Sequence, residues 1–160
     1  MSDPRWYSLR TSPLVVGSNL TRVILPTVLE PWQVQSAAVP TNTATSGTTE
    51  KTLATLSIPA KPWPYTLVVA AFFSGVNSVD VDEFQGRIKI GGTQKALVQV
   101  GTVGAGTRRT LFALPTCTPT TIAVNTAASV TVTIQRSGGT GTFTQDVAGV
   151  VTATIMPNAT

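Results

Sequence analysis

The side chains in this sequence that could do chemistry are few. Three carboxylates, Asp80, Asp82 and Glu83, fall together in Ser78-Val-Asp-Val-Asp-Glu-Phe84, and one thiol, Cys117, lies in Pro115-Thr-Cys-Thr-Pro119. Hard oxygens at this spacing can ligate calcium, although the pattern lacks the glycine and the distal glutamate of an EF-hand loop. The same cluster suits a solvated loop beside the start of a strand. Glycoside hydrolysis needs two carboxylates facing each other across a cleft of about 5 to 9 Å. The other acids (Asp3, Glu30, Glu50 and Asp146) supply no evident partner. Histidine is absent from all 160 residues, which removes the usual general base and the commonest zinc ligand. Without it, Cys117 reads as a small apolar filler rather than a nucleophile. Neither catalysis nor a cofactor is expected.

Other motifs weaken on inspection. Gly101-Thr-Val-Gly-Ala-Gly106 resembles a phosphate loop only in its glycines, because the Lys-Ser/Thr ending and a following helix are missing. It reads as a strand connection. Arg108 and Arg109, just beyond it, suit an edge-strand guard. Trp32, Trp63 and Tyr65 could line a sugar-binding groove, but Pro59-Ala-Lys-Pro-Trp-Pro-Tyr65 reads first as a stiff, packed corner. The triplets Asn19-Leu-Thr21 and Asn158-Ala-Thr160 match the glycosylation pattern, which matters only in a secreted chain. Met1 to Gly17 shows no signal-peptide pattern, and no segment approaches the ~20 apolar residues of a membrane span. Synthesis in a cytoplasm is the expectation.

Threonine holds 28 positions, and this β-branched residue fits the pleated, half-solvated face of a strand. Only 11% of residues are charged, against roughly 25% in an average globular protein, so other subunits are expected to cover part of the surface. The net charge of +4 comes from scattered lysines and arginines, with no basic run that would hold nucleic acid.

Two regions follow. Residues 1–48 hold five of the eleven prolines and end in the polar stretch Thr41-Asn-Thr-Ala-Thr-Ser-Gly-Thr-Thr49, so they read as an extended N-terminal arm and linker. The arm is nonetheless apolar at Trp6, Tyr7, Val15, Val16, Ile24, Leu25 and Trp32, which are candidate assembly contacts. Residues 49–160 read as an all-β domain, an antiparallel, jelly-roll-like β-sandwich. Its eight strands are expected near 50–58, 65–74, 84–91, 94–100, 107–114, 120–125, 129–136 and 149–156. Gly91-Gly92 and Ser137-Gly-Gly-Thr-Gly141 read as tight turns. Leu67-Val-Val-Ala-Ala-Phe-Phe73 is apolar at every position, so its outer face should be covered, and Val69, Ala71 and Phe73 join the candidate contacts.

Taken together, the Pro-rich apolar arm from Asp3-Pro-Arg-Trp-Tyr7 to Pro40, the Thr-rich linker, and a sandwich ending in Gly141-Thr-Phe-Thr144 and Thr152-Ala-Thr-Ile-Met-Pro157 resemble small structural proteins of tailed bacteriophages. The resemblance to head decoration and minor tail proteins implies a non-enzymatic virion protein. It further implies a homo-oligomer (a trimer first), docked through its arm on another virion protein such as a major capsid or tail protein. A truncation lacking residues 1–45 is then expected to fold yet fail to bind particles. The alternatives are a tail-tip or receptor-binding module that takes a cell-surface glycan, and the self-assembling coat of a small virus. The coat reading is disfavoured because three arginines in the first 22 residues are too few to neutralise a genome.

Overall fold

The computed structural model describes residues 32–41, 43–79, 81–103, 109–115 and 119–158. These residues form ten strands and no helix. The strands are β1 (Gln33–Val39), β2 (Ala44–Thr45), β3 (Lys51–Ile58), β4 (Tyr65–Asn77), β5 (Val81–Ile90), β6 (Thr93–Val103), β7 (Arg109–Pro115), β8 (Thr120–Ile122), β9 (Ala128–Gly138) and β10 (Phe143–Pro157). All pairings are antiparallel. Sheet A runs β1-β10-β4-β7, with β2 beside β10 and β8 beside β4; sheet B runs β3-β9-β5-β6.

The eight long strands pair in a nested order. β1 joins β10, β3 joins β9, β4 joins β7 and β5 joins β6. A long hairpin rolled onto itself gives this pattern of two interlocked Greek keys, which is the jelly roll. The innermost pair turns at Gly91 and Gly92, with φ of +57° and +79°. Positive φ at both central residues is what a two-residue type I′ hairpin requires, and glycine meets it without steric cost.

The sequence reading places the sandwich from residue 49, but β1 and β2 belong to sheet A. β1 runs the length of β10, from Gln33 opposite Ile155 to Val39 opposite Gly149. The eight expected strands therefore included the short β8 and omitted β1. The turn expected at Ser137–Gly141 is a crossing from sheet B to sheet A, since β9 and β10 lie in different sheets. Residues 1–31 lie outside the described residues, as do Arg108 and Cys117.

Alternation fills the core. Tyr65, Leu67, Val69, Ala71 and Phe73 of β4 face Phe84, Ile88 and Ile90 of β5 and Val130, Val132 and Ile134 of β9, and all of them are buried. At one end Phe73 and Phe112 stack with centroids 4.8 Å apart, and Phe143 meets both edge-on. Phe84 reaches over from sheet B to within 5.4 Å of Phe143. These edge and offset contacts add about 0.5–1.5 kcal/mol each beyond the burial of area. At the other end Trp63 packs edge-on against Tyr65, whose hydroxyl donates to the Thr126 carbonyl at 3.0 Å.

Candidate assembly surface

Opposed residues of an antiparallel pair share a face, so the register fixes what each sheet shows to the outside. On sheet A the outer rows are Val34-Thr154-Val68, then Ser36-Thr152-Ala70-Pro115, then Ala38-Val150-Phe72-Ala113. Ser74 and Leu111 follow, with Val147 beside them at the β-bulge that interrupts β10. None of these side chains carries a charge. Val34, Leu111 and Phe72 are 65%, 61% and 50% exposed. Exposed Val34, Phe72, Leu111 and Val147 among small and hydroxyl side chains make this face the candidate for packing against another surface.

The outer face of sheet B is built oppositely. Arg87 donates to Gln135 and Gln85, and Gln99 donates to Glu83 at 2.8 Å. Glu50, just before β3, accepts from Lys89 and Thr133 and lies 3.7 Å from the Arg87 guanidinium. Burial pushes the Glu50 carboxyl up, but the hydrogen bonds from Lys89 and Thr133 and the charges of Lys89 and Arg87 outweigh it. The net direction is down from the usual 4.5. The sandwich thus has one charged side and one side that carries no charge in the rows from Val34 to Leu111, the next row being Thr144-Val76-Arg109.

The candidate residues of the sequence distribute unevenly over this frame. Trp32 is 70% exposed, immediately before β1. Val69, Ala71 and Phe73 point into the core, so they do not form the surface they were expected to supply. Burial selects the odd positions of β4 because Tyr65 and Asn77 continue that parity inward, while the even positions run out through Thr66 and Ser74. The surface consists of Val68, Ala70 and Phe72 instead. Thr66 and Ser74 were the signal for this choice. Trp6, Tyr7, Val15, Val16, Ile24 and Leu25 lie outside the described residues.

The carboxylate cluster is not a single site. Asp80 lies outside the described residues, and the neighbours Asp82 and Glu83 project to opposite faces of β5. Asp82 is buried, accepting from the backbone N–H groups of Thr140 (2.9 Å) and Gly141 (2.7 Å) and from the Asn77 amide (3.0 Å). It clamps the crossing between the sheets. Gly139 is part of the clamp: its φ is +84°, and a Cβ there would fall 1.5 Å from Asp82 Oδ1. Among the described residues no group of three or more His, Cys, Asp or Glu side chains could hold a metal.

Of the three aromatics singled out, Trp32 is exposed and Tyr65 is buried. Trp63 is half-buried in the corner, with Lys61 Nζ 5.8 Å from its ring centre and also donating to Gln33 at 2.7 Å. A shallow open hollow of about 430 Å³ is lined by Ser57, Ile58, Pro59, Ala127, Ala128 and Ser129, none of them ionisable. Among the described residues no helix is long and apolar enough to cross a membrane.

No protein-family model and no curated protein matches the chain. Solved structures do resemble it. One is that of the infectious bursal disease virus Gx strain, with TM-score 0.51 and 16% identity over 79% of this chain and 32% of that one. Another is the infectious bursal disease virus VP2 subviral particle, with TM-score 0.46 and 16% identity over 78% and 33%. The chain spans about a third of the length of these neighbours. At this identity the likeness is one of fold: an all-β, two-sheet antiparallel sandwich shared with a viral structure.

Proposed function

We propose that this chain is a non-enzymatic structural component of a virus particle, of the surface-decoration or minor-capsid kind suggested by its resemblance to tailed-phage proteins. It would be held on the particle by its N-terminal arm and by contacts between copies, a trimer being the first arrangement to test. The observation that carries this reading is the largely apolar outer face of sheet A, with Val34, Phe72 and Leu111 exposed, on a jelly-roll frame. Such a face is costly to leave in water and well suited to packing on a neighbour. A fold shared with a chain of the bursal disease virus structure agrees with it.

The test begins with particles made from the genome that encodes the sequence. Washed particles should retain the chain in many copies, and antibody against it should bind them intact. Washed particles free of the chain would overturn the proposal.

A second reading, the self-assembling coat, draws support from the nested strand order. Expression of the chain alone separates the two. Closed shells containing nucleic acid favour the coat, whereas small soluble oligomers favour decoration.

A further inference from the structure

We infer that the outer edge of β1 is a contact between two copies of this chain, whose β1 strands pair antiparallel across a two-fold axis. The inference rests on the copy-to-copy contacts proposed above and names where one of them forms.

The four edges of the sandwich differ in how they are protected. A sheet edge presents unpaired N–H and C=O groups, which natural proteins guard with lysine, proline or bulges. Among the described strands, β1 and β7 lie at the edges of sheet A, and β3 and β6 at those of sheet B. Three of them are guarded. β3 begins at Lys51 and has a register shift between Thr52 and Ala54. β6 carries Lys95 where its pairing with β5 shifts, between Gln94 and Ala96. β7 begins at Arg109 and ends at Pro115. β1 has no such device: Gln33–Val39 contains no charge and no proline, and its register with β10 is unbroken from end to end.

The character of this edge selects its occupant. A strand that fits it along its length must be as flat and as free of charge and proline as β1 itself. Among the described edge strands β1 alone meets that requirement, so the matching surface is the same strand of a second copy. Full overlap then fixes the register. With Ser36 on the axis, Val34 lies opposite the partner's Ala38, Gln35 opposite the partner's Ala37 and Gln33 opposite the partner's Val39. No like charges are opposed, which is the usual penalty for pairing a strand with itself. Lys61 donates to Gln33 at 2.7 Å, at one end of the strand. The two-fold sends the two copies of that lysine to opposite ends of the ladder, about 20 Å apart and beyond a screening length of about 8 Å.

Burial agrees with an edge that is completed by another strand. Gln33, Gln35 and Ala37 turn inward yet are only partly buried, because β1 has its described neighbour β10 on one side alone. A second β1 covers them from the other side. Main-chain hydrogen bonds supply the attraction, as in strand addition generally, and the contact is isologous. It also joins two four-strand paths β1-β10-β4-β7 into one sheet of eight, whose outer rows run on from copy to copy. A two-fold contact at this edge leaves the rest of the subunit free for contacts of another symmetry.

Cross-linking and sedimentation of the full chain test the inference. In a Cys117→Ser background, Ser36→Cys places two thiols on the axis. Opposed Cα atoms of an antiparallel pair lie about 4.5–5.5 Å apart, within reach of a disulfide. Leu111→Cys, 61% exposed on the opposite edge strand of sheet A, is the comparison. Under mild oxidation Ser36→Cys should give covalent dimer at least about tenfold faster than Leu111→Cys. Ser36→Lys opposes two like charges on the axis and should raise the dimer dissociation constant about tenfold or more, read by sedimentation velocity. Ser36 is exposed, so neither substitution enters the core. Should Ser36→Lys fail to fold, the cross-linking rates decide alone. Equal rates would overturn the inference, as would an unchanged dissociation constant in folded Ser36→Lys. Faster coupling through Leu111→Cys would overturn it too, in favour of sheet A faces stacked on each other. So would a wild-type chain that stays monomeric up to about 1 mM, which would leave the edge to a strand of another protein. The particle reading would still stand or fall by its own test, retention of the chain on washed particles.

Discussion

Asp82 shows how a carboxylate that looks chemical can be architectural. Three N–H donors converge on it from Asn77, Thr140 and Gly141, and the bonds from Asn77 and Gly141 are buried, so removing it would take the partner from both there. Each orphaned donor costs about 1–3 kcal/mol, so Asp82→Ala should lower unfolding stability by about 3 kcal/mol or more, read from urea denaturation. Gly139→Ala should cost a similar amount, because it combines a left-handed backbone with a collision against the same carboxylate. Calcium added to the wild type should leave the urea midpoint unchanged. Glu50 makes a different prediction. Its carboxyl is held below 4.5, so its contribution is fully present above the unfolded pKa and is lost as pH falls through the lowered folded value. The stability difference between wild type and Glu50→Gln should therefore shrink below about pH 4.5 and should not exceed about 1 kcal/mol above it, as expected of a partly exposed cluster. A difference that grows on acidification would contradict this assignment.

At the scale of elements, strands with ordinary alternation were legible and the first strand was not. Val130, Val132 and Ile134 announce β9, just as Val151, Ala153 and Ile155 announce the end of β10. β1 reads Gln-Val-Gln-Ser-Ala-Ala-Val, with the usual polarity reversed. Gln33 and Gln35 turn toward the sandwich edge, where Lys61 meets Gln33, while Val34 faces outward. An edge strand beside an apolar outer face has no reason to alternate in the standard sense, and so it resembled linker. The bulges of β10 were hidden likewise: the Gln145 side chain donates to the carbonyls of Val39 and Val147, taking the place of ladder bonds. The deletion once expected to fold, residues 1–45, would strip β1 from β10 and uncover Val151, Ala153 and Ile155 at the edge. It should yield no cooperative thermal transition, whereas deletion of residues 1–31 should retain one. Circular dichroism melts of the two proteins decide the matter.

For the whole molecule, what matters is the asymmetry of its two broad faces. Low charge content says that apolar surface must be exposed somewhere, but no local pattern says where, because that depends on register between strands far apart in sequence. Val34, Val68, Phe72 and Leu111 meet only when β1, β10, β4 and β7 are laid side by side. Phe72→Lys with Leu111→Lys should leave the fold intact, since both side chains are at least half exposed, and change thermal stability by about 1 kcal/mol or less. The pair should nevertheless abolish particle binding, measured by sedimentation. Retained association would move the contact to another face.

The nesting of strands also sets a schedule for biosynthesis. β10 lies between β1 and β4 at the heart of sheet A, yet among the described strands it is the last to leave the ribosome. Until Pro157 clears the exit tunnel, β1 and β4 have nothing between them and half the hydrophobic interior stays open. Nascent chains should accordingly remain protease-sensitive until Pro157 has emerged, then close in one late step, slowed by the great sequence distance its contacts must span.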